Sequence, residues 1–218
     1  MNKCLERGLI LSLDYFYDNI NSYILNKLLL NINSSFNNNV SAIKTSYSNL
    51  ILELKYSVDL PVIGCVNKVY PDTIVNLTPT VNEIYELAKA GASIIYLDAS
   101  TKMRSNFITI HEFYYKIKSL FPELYFIGEV YTLEDIKNIS CLKFDAICIR
   151  NDSYTISNFV DYIDIDVPLI FDSIVDNNLL NDDKYNELFN AGFNNIIVNS
   201  KIITPKYQLK EFIENVFN

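Results

Sequence analysis

The chain has 218 residues, of which 50% are hydrophobic and 20% are charged, and its formal net charge is −8. This composition excludes a disordered chain, and the length suits a single domain over residues 1–218. The negative charge argues against a nucleic-acid-binding surface, because phosphate contacts need clustered Lys and Arg. The negative net charge is compatible with binding of a small anionic ligand, since such a ligand needs only a local positive site.

The four cysteines, at positions 4, 65, 141 and 148, form no Cys-x-x-Cys pair. Three of them lie in or beside apolar runs, so we interpret them as buried, unreactive thiols of the kind found in a reducing cytosol. The apolar stretch Gly8–Leu13 is too short for a signal peptide, and no apolar run reaches the ~18 residues of a membrane span. We therefore expect a cytoplasmic protein that makes no contact with a membrane.

Short apolar segments recur along the chain, and polar residues follow several of them directly. Parallel strands that are covered by helices on both faces produce this pattern, because they lose the alternation of apolar and polar positions. The predicted strands are Leu9–Leu13, Val40–Ile43, Val62–Val66, Ile94–Leu97, Leu124–Ile127, Ala146–Ile149, Pro168–Phe171 and Asn195–Val198.

Helical patterns fill several of the gaps between these strands. Thr80–Ala90 carries apolar residues at helical spacing and is followed by Gly91, a residue that commonly ends helices. Thr132–Ile139 opens with Thr132 and an acidic residue three positions later, which is close to a capping box. Tyr207–Phe217 also shows one apolar face.

Eight strands separated by loops and helices predict a (β/α)₈ TIM barrel formed by a single domain. The alternative is an open doubly wound sheet, which also alternates strands and helices. No glycine-rich phosphate loop follows the first strand, where Ser12–Tyr15 is bulky, so a dinucleotide-binding fold is disfavoured.

Polar and charged residues follow every predicted strand, and in a barrel they would surround one mouth. Charges after strands are also expected simply because solvent begins there. A mixed ring of carboxylates and cations nevertheless suits proton transfer on a small polar substrate, or binding of a sugar phosphate without chemistry. The ring consists of Asp14, Lys44, Asn67, Lys68, Asp98, Glu129, Arg150, Asp172, Asn199 and Ser200.

The only histidine, His111, falls in a predicted helix on the outside of the barrel. This position excludes a histidine-based zinc site and a Ser-His-Asp triad at the mouth. Magnesium held by carboxylates alone stays open, although no pattern points to it. We therefore expect no metal and no cofactor.

Several motifs in the chain resemble those of one enzyme family. They are Leu60–Gly64, Tyr70–Asp72, Thr78-x-Thr80, Leu97–Ala99, Thr132–Glu134, Phe144–Asp145 and Tyr154–Thr155. On these motifs the chain resembles the N-acylglucosamine-6-phosphate 2-epimerases, which are the ManNAc-6-phosphate epimerases of sialic acid catabolism. The resemblance implies a barrel isomerase that inverts C2 of a 2-acetamido sugar phosphate by removing and returning the C2 proton.

The chain departs from the family at the lysine that performs this proton transfer after the third strand. Asn67 occupies that position, and Lys68 follows one residue later. Adjacent strand residues point to opposite faces, so Lys68 can replace the lysine only if the chain has left regular strand geometry there. If that condition holds, Lys68 is the predicted base. Its predicted partner is Asp172, which occupies the position of the family's glutamate after strand seven.

The resemblance also implies which residues contact the substrate. Asn199 and Ser200 replace paired glycines whose amides cradle phosphate in the family, and side chains there would obstruct that approach. Two interpretations follow: a diverged epimerase, or a catalytically silent barrel that binds a sugar phosphate or serves as a structural subunit. A homodimer is left open. The implied substrate-binding residues are Asp14, Lys44, Asn67, Asp98, Glu129, Arg150, Asn199 and Ser200.

Overall fold

A computed structural model describes residues 5–14, 39–151, 167–173 and 182–199. Eight parallel strands form a closed barrel in which each strand pairs with the next along the chain, and the first pairs with the last. The predicted (β/α)₈ TIM barrel is confirmed. The strands are β1 Gly8–Ser12, β2 Val40–Thr45, β3 Val62–Gly64, β4 Ile94–Asp98, β5 Tyr125–Val130, β6 Ala146–Asn151, β7 Leu169–Ser173 and β8 Asn195–Asn199. The helices described between them are α1 Ser48–Ser57, α2 Val81–Ala90, α3 Ile110–Leu120, α4 Leu133–Ile139 and α5 Asp182–Asn190.

All eight predicted strands are present, but β3 ends at Gly64 rather than at Val66. Beyond Gly64 the backbone turns to meet the segment before α2. The Val66 amide donates to the Thr78 hydroxyl at 3.1 Å, and the Val66 carbonyl accepts from the Thr78 amide at 2.7 Å. The Cys65 amide still donates to the Thr45 carbonyl of β2 at 3.2 Å, so the strand ends early because Val66 pairs with a loop. The predicted helix Tyr207–Phe217 lies outside the described residues.

The strands separate two hydrophobic cores, because alternate residues of each strand face opposite sides of the sheet. One core fills the barrel interior and the other lies between the barrel and its helices. The interior core includes Ile10, Ala42, Ile63, Tyr96, Ile127, Cys148, Ile170 and Ile197. The outer core includes Leu9, Leu11, Ile43, Ile95, Leu97, Phe126, Ile149, Phe171 and Val198 together with the apolar faces of the helices.

Local signals in the sequence fix both ends of α2. Thr80 and Glu83 form a complete capping box, in which the Thr80 amide donates to the Glu83 carboxylate at 2.9 Å. Gly91 ends the helix in the left-handed conformation, with φ of 109°, as its position predicts. Thr132 and Asp135 form the same box at the start of α4.

The expectation of buried thiols is confirmed for Cys65 and Cys148 but is wrong for Cys141, which is exposed. Cys141 follows the last turn of α4 and is exposed, although its neighbours Ile139 and Leu142 are buried in the outer core. Within the described ranges, no helix is both long and apolar enough to cross a membrane.

Candidate active site

Strand alternation determines which charged residues face the barrel interior. Residues two apart share a face of a strand. Lys44 therefore follows the interior residue Ala42, and Arg150 follows the interior residue Cys148. In the sheet register Asp98 lies beside Glu129, and Arg150 lies beside Asp172. The ends of neighbouring strands thus bring carboxylates and cations together at one mouth.

Asp14 and Lys44 form an ion pair at this mouth, with 3.5 Å between Lys44 Nζ and Asp14 Oδ2. The other oxygen of Asp14 accepts from the Ser46 amide at 2.6 Å, from the Ser46 hydroxyl at 3.0 Å and from the Thr45 hydroxyl at 3.2 Å. These bonds hold the Asp14 carboxylate against the end of β2. Both oxygens of Asp14 are therefore already engaged.

The Lys44 ammonium keeps its proton at neutral pH. Burial lowers its pKa, but the acidic groups around it, which include Cys65, Asp14, Asp172 and Glu129, outweigh burial and leave the pKa above its ordinary value. Burial in turn raises the pKa of the Cys65 thiol to about 11, so that thiol is neutral. The carboxylates are thus the charges that hold Lys44 as a cation, and Lys44 is not a base.

Glu129 lies inside the barrel with 0% of its surface exposed and is surrounded by donors. Its carboxylate accepts hydrogen bonds from the hydroxyls of Tyr96 and Tyr131, and Arg150 Nη1 lies 3.4 Å from one oxygen and 3.5 Å from the other. Interactions with these three side chains therefore offset the free-energy cost of removing this carboxylate from water.

The pKa of the Asp172 carboxyl group is raised from its ordinary value to about 6. Burial is the largest cause of this rise. Lys44 and Arg150 lower the pKa, Glu129 raises it, and the Tyr96 hydroxyl lowers it. A carboxyl group with this pKa is mostly ionised at pH 7 but accepts a proton readily. Asp172 therefore has the property required of a group that removes and returns protons near neutrality.

Asp98 ends β4 with its side chain buried, and Asp98 Oδ1 accepts from the Ser100 amide at 2.8 Å. Its carbonyl accepts from the buried guanidinium of Arg104, which also donates to the carbonyls of Thr78 at 3.3 Å and Pro79 at 3.1 Å. Burial lowers the pKa of Arg104 to about 10. Arg104 thereby joins the loop after β3 to the end of β4.

Lys68 lies elsewhere than the sequence led us to expect. The chain does leave strand geometry after Gly64, yet Lys68 Nζ is 3.0 Å from Glu83 Oε1 at the start of α2, and its side chain is 51% exposed. The Tyr70 hydroxyl donates to the same oxygen at 2.8 Å. Hydrogen bonds with Tyr70 and Glu83 raise the pKa of Lys68, so in this position it holds its proton. Lys68 therefore pairs with a carboxylate on α2, and its role as a base stays a prediction that this placement does not support.

The remaining predicted residues lie at two other strand ends. The Asn67 side chain is exposed, and its backbone forms an antiparallel bridge with Leu77. The backbone of Asn199 ends β8 beside Ser12 of β1. Ser200 lies outside the described residues. The proposed contacts of Asn199 and Ser200 with substrate therefore stay predictions.

Sequence reasoning missed Tyr96, Tyr131 and Cys148 as parts of this site. Tyr96 and Cys148 each lie within a predicted apolar strand, where a core position is the ordinary expectation. Each is also two positions before a mouth residue, so strand alternation would have placed it on the same inner face, directly below that residue.

His111 lies in α3 on the outside of the barrel, as predicted, and His111 Nε2 is 3.5 Å from Cys141 Sγ. Across the part of the chain that the structure describes, no three His, Cys, Asp or Glu side chains are grouped so that they could hold a metal ion. The expectation that the protein uses no cofactor stays a prediction.

Comparison with known proteins connects this geometry to one family. The profile of the family described as "Putative N-acetylmannosamine-6-phosphate epimerase" matches residues 33–217. Proteins named "Putative N-acetylmannosamine-6-phosphate 2-epimerase" are similar along nearly the whole chain. The one from Borreliella afzelii (strain PKo) is 28% identical over 224 residues, covering 97% of this chain and 95% of that protein. The one from Staphylococcus aureus (strain JH9) is 27% identical over 227 residues, covering 96% and 98%.

A solved structure shares the fold. It is described as the N-acetylmannosamine-6-phosphate 2-epimerase from Clostridium perfringens, and it superposes with a TM-score of 0.74 at 22% identity, covering 95% of this chain and 92% of that one. This structural similarity supports the barrel fold, and the match to the family profile over most of the chain shows family membership. The chain belongs to the N-acetylmannosamine-6-phosphate epimerase family.

Proposed function

We propose that the protein is an isomerase that interconverts N-acetylmannosamine 6-phosphate and N-acetylglucosamine 6-phosphate by removing and returning the proton on C2. Family membership supports the substrate and the reaction. The observation within the site that carries the proposal is Asp172, which lies beside Arg150 in the sheet register. Its carboxyl group has a pKa of about 6 and interacts with the cations Lys44 and Arg150.

The reaction needs a base near C2 and positive charge near O1. In the open-chain sugar C2 is adjacent to the carbonyl carbon, so the electron pair left when the C2–H bond breaks is delocalised onto O1. Lys44 and Arg150 are cations that can stabilise this charge. Return of the proton to the opposite face of C2 gives the epimer, and no net oxidation or reduction takes place.

Asp172 is the group best suited to carry the proton. Both oxygens of Asp14 already accept hydrogen bonds from residues at the end of β2, and the Glu129 carboxylate already accepts hydrogen bonds from three side chains. The ammonium of Lys44 retains its proton because its pKa is raised. Lys68, the base that the sequence suggested, would have to leave Glu83 and lose a proton before it could act.

The other residues of the mouth then serve to bind the substrate. Lys44 and Arg150 face its oxygens, and Asp14, Asp98 and Glu129 hold these cations and the strand ends in position. Asn67, Asn199 and Ser200 would contact the sugar or its phosphate. We expect a cytoplasmic enzyme, consistent with the buried thiols, and sedimentation would decide between a monomer and a homodimer.

The test is NMR of N-acetylmannosamine 6-phosphate in D₂O with the purified protein. Deuterium incorporation at C2 together with formation of the epimer is the expected result. Asp172→Asn should reduce the exchange rate at least about a hundredfold, which is the usual contribution of a positioned proton carrier. Asp59→Asn, which removes an exposed carboxylate after α1, should leave the rate unchanged.

Lys68→Ala separates the two candidate bases. If Asp172 carries the proton, the variant should exchange within about twofold of the unmodified protein, since an exposed side chain away from the mouth is removed. Loss of exchange in Lys68→Ala with retention in Asp172→Asn would reverse the assignment.

A second candidate function is a silent barrel that binds the sugar phosphate without reacting. Two observations favour it: Asn67 stands where the family has its lysine, and both described mouth cations are already in ion pairs, Lys44 with Asp14 and Arg150 with Glu129. If exchange appears only in a variant with Asn67→Lys, Asn199→Gly and Ser200→Gly, this candidate is correct. Exchange in the unmodified protein excludes it.

A further inference from the structure

Lys102 is an exposed cation on the loop that follows β4, and it stands outside the ring of charged residues at the mouth. Its ammonium lies over the ring of Tyr131, with 4.5 Å between Lys102 Nζ and the ring centre. The hydroxyl of the same tyrosine donates to Glu129 inside the barrel. One aromatic side chain therefore connects Lys102 to the interior of the mouth.

A buried carboxylate fixes the backbone on which Lys102 stands. Asp135, near the start of α4, accepts from the Thr101 amide at 2.8 Å with one oxygen and from the Tyr131 amide at 3.1 Å with the other. Asp135 thus joins the loop after β4 to the loop after β5 and brings Lys102 beside Tyr131. Because both loops are fixed in the free protein, a ligand that binds here pays little for ordering their backbone.

The Lys102 ammonium has no carboxylate partner among the residues that the structure describes. A tyrosine ring covers one side of an ammonium and leaves N–H groups on its other side free to donate. Lysine is a common phosphate ligand and acts as a point charge. An anion can therefore bind Lys102 without breaking an ion pair, in contrast to the cations of the described ion pairs, which are Lys44, Lys68, Lys118 and Arg150.

Two other kinds of phosphate site are obstructed in this chain. Barrels often bind phosphate after strands seven and eight, but Asn199 and Ser200 carry side chains that would obstruct close approach to the backbone amides there. Helix N-termini also bind phosphate, but α2, α3 and α4 each begin with a complete capping box whose acidic residue already occupies that end. These acidic residues are Glu83, Glu112 and Asp135.

The width of the mouth suits a hexose 6-phosphate that reaches from Asp172 to Lys102. Asp172 lies in β7, and Tyr131 directly follows β5, two strands away. Neighbouring strands are about 4.8 Å apart, so these two strand ends are separated by roughly 10 Å. An open-chain hexose that is extended from C2 to its phosphate has a similar reach once its contacts at both ends are included. C2 can therefore lie at Asp172 while the phosphate lies at Lys102.

We propose that Lys102 binds the phosphate group of the substrate and that Tyr131 and Asp135 hold it in position for this contact. The identity of the ligand rests on the proposed function. The contact is remote from C2, so it stabilises the bound substrate and the transition state equally. Lys102 therefore acts on KM and leaves kcat unchanged.

The test is isothermal titration calorimetry with N-acetylglucosamine 6-phosphate and with N-acetylglucosamine. Lys102→Gln should weaken binding of the 6-phosphate at least about tenfold, which is the ordinary effect of losing one contact between charged groups. Binding of the unphosphorylated sugar should not change. Lys102→Arg should keep the affinity for the 6-phosphate, because a guanidinium also binds phosphate.

Lys55→Gln is the matched control. Lys55 is also exposed, and its Nζ lies 5.9 Å from the centre of the Tyr56 ring, but it belongs to the last turn of α1, away from the mouth. Its removal should leave both affinities unchanged. Unchanged binding of the 6-phosphate by Lys102→Gln overturns the proposal. Equal weakening of both sugars, or an equal loss in Lys55→Gln, overturns it as well, since the first would show a general change in the mouth and the second an effect of net charge alone.

These titrations need no turnover, so they separate the phosphate contact from the proposed reaction. If Lys102→Gln loses affinity while the unmodified protein shows no C2 exchange, the epimerase is refuted and the phosphate contact stands. If exchange occurs, Lys102→Gln should raise KM about tenfold with kcat within about twofold. An unchanged KM refutes the contact and leaves the epimerase standing, whereas an unmodified protein that does not bind the 6-phosphate overturns both.

Discussion

Replacing Asp172 with Asn should make the protein more stable while removing its proton carrier. The pKa of Asp172 is about 6 in the folded protein against an ordinary 3.8, a difference of about 2. Because the folded state binds this proton more tightly than the unfolded state does, ionisation of Asp172 costs folding free energy. At 1.36 kcal/mol for each pKa unit, the cost above pH 7 is up to about 3 kcal/mol.

The sign of the pH dependence follows from the raised pKa. Below pH ~3 the group is protonated in both states and carries no penalty, so the penalty develops between pH ~3 and ~6 and is nearly complete above that window. Asp172→Asn should therefore raise the free energy of unfolding by up to about 3 kcal/mol at pH 7.5, but by only about 0.5 kcal/mol at pH 4.

Urea denaturation at these two pH values measures the difference, with Asp59→Asn as the exposed control. A variant that is less stable than the unmodified protein at pH 7.5 would refute the reasoning. That result would mean that the attraction of Lys44 and Arg150 exceeds the cost of burial and that the pKa of Asp172 lies below its ordinary value.

Three further predictions concern the pH profile of exchange, the end of α2 and the cysteines. C2 exchange should rise about tenfold per pH unit below pH ~6 and level off above it, because the ionised form of Asp172 removes the proton; a rate that falls across this range contradicts the assignment. Gly91→Ala should lower the free energy of unfolding by about 1 kcal/mol, since Gly91 has φ of 109°, and urea denaturation measures this loss. In a Cys4→Ser background, Cys141 should react with a thiol reagent in the native protein while Cys65 and Cys148 react only after unfolding, and rapid modification of all three would contradict their burial.

The barrel was predictable because each of its signals is local. A strand such as Ile94–Asp98 is apolar on both faces and ends in a carboxylate, and this pattern alone indicates a parallel strand whose end faces solvent. The same periodicity predicted that Lys44 and Glu129 would face one mouth. Capping residues such as Thr80 and Gly91 fixed the ends of α2 for the same reason, since each acts within one helical turn.

The role of individual site residues was less predictable because it depends on contacts between distant segments. Whether Lys68 faces the mouth depends on how the chain turns after Gly64, and its partner Glu83 lies fifteen positions later along the chain. The pKa of Asp172 depends on groups from β2, β4, β5 and β6. Tyr96 gave no signal of its own, because a tyrosine within an apolar strand is typical of a core.

The buried guanidinium of Arg104 restricts how this barrel can change during evolution. It binds the carbonyls of Thr78 and Pro79 in one loop and that of Asp98 in the next strand, while Asp72 accepts hydrogen bonds from the Ser105 hydroxyl and the Asn106 amide across the same junction. An inserted or deleted residue in either loop would shift these donors from their acceptors and leave a buried charge without partners. Lengthening of loops is a common way for barrels to acquire new ligands. In this lineage such changes are therefore expected at strand ends other than those of β3 and β4.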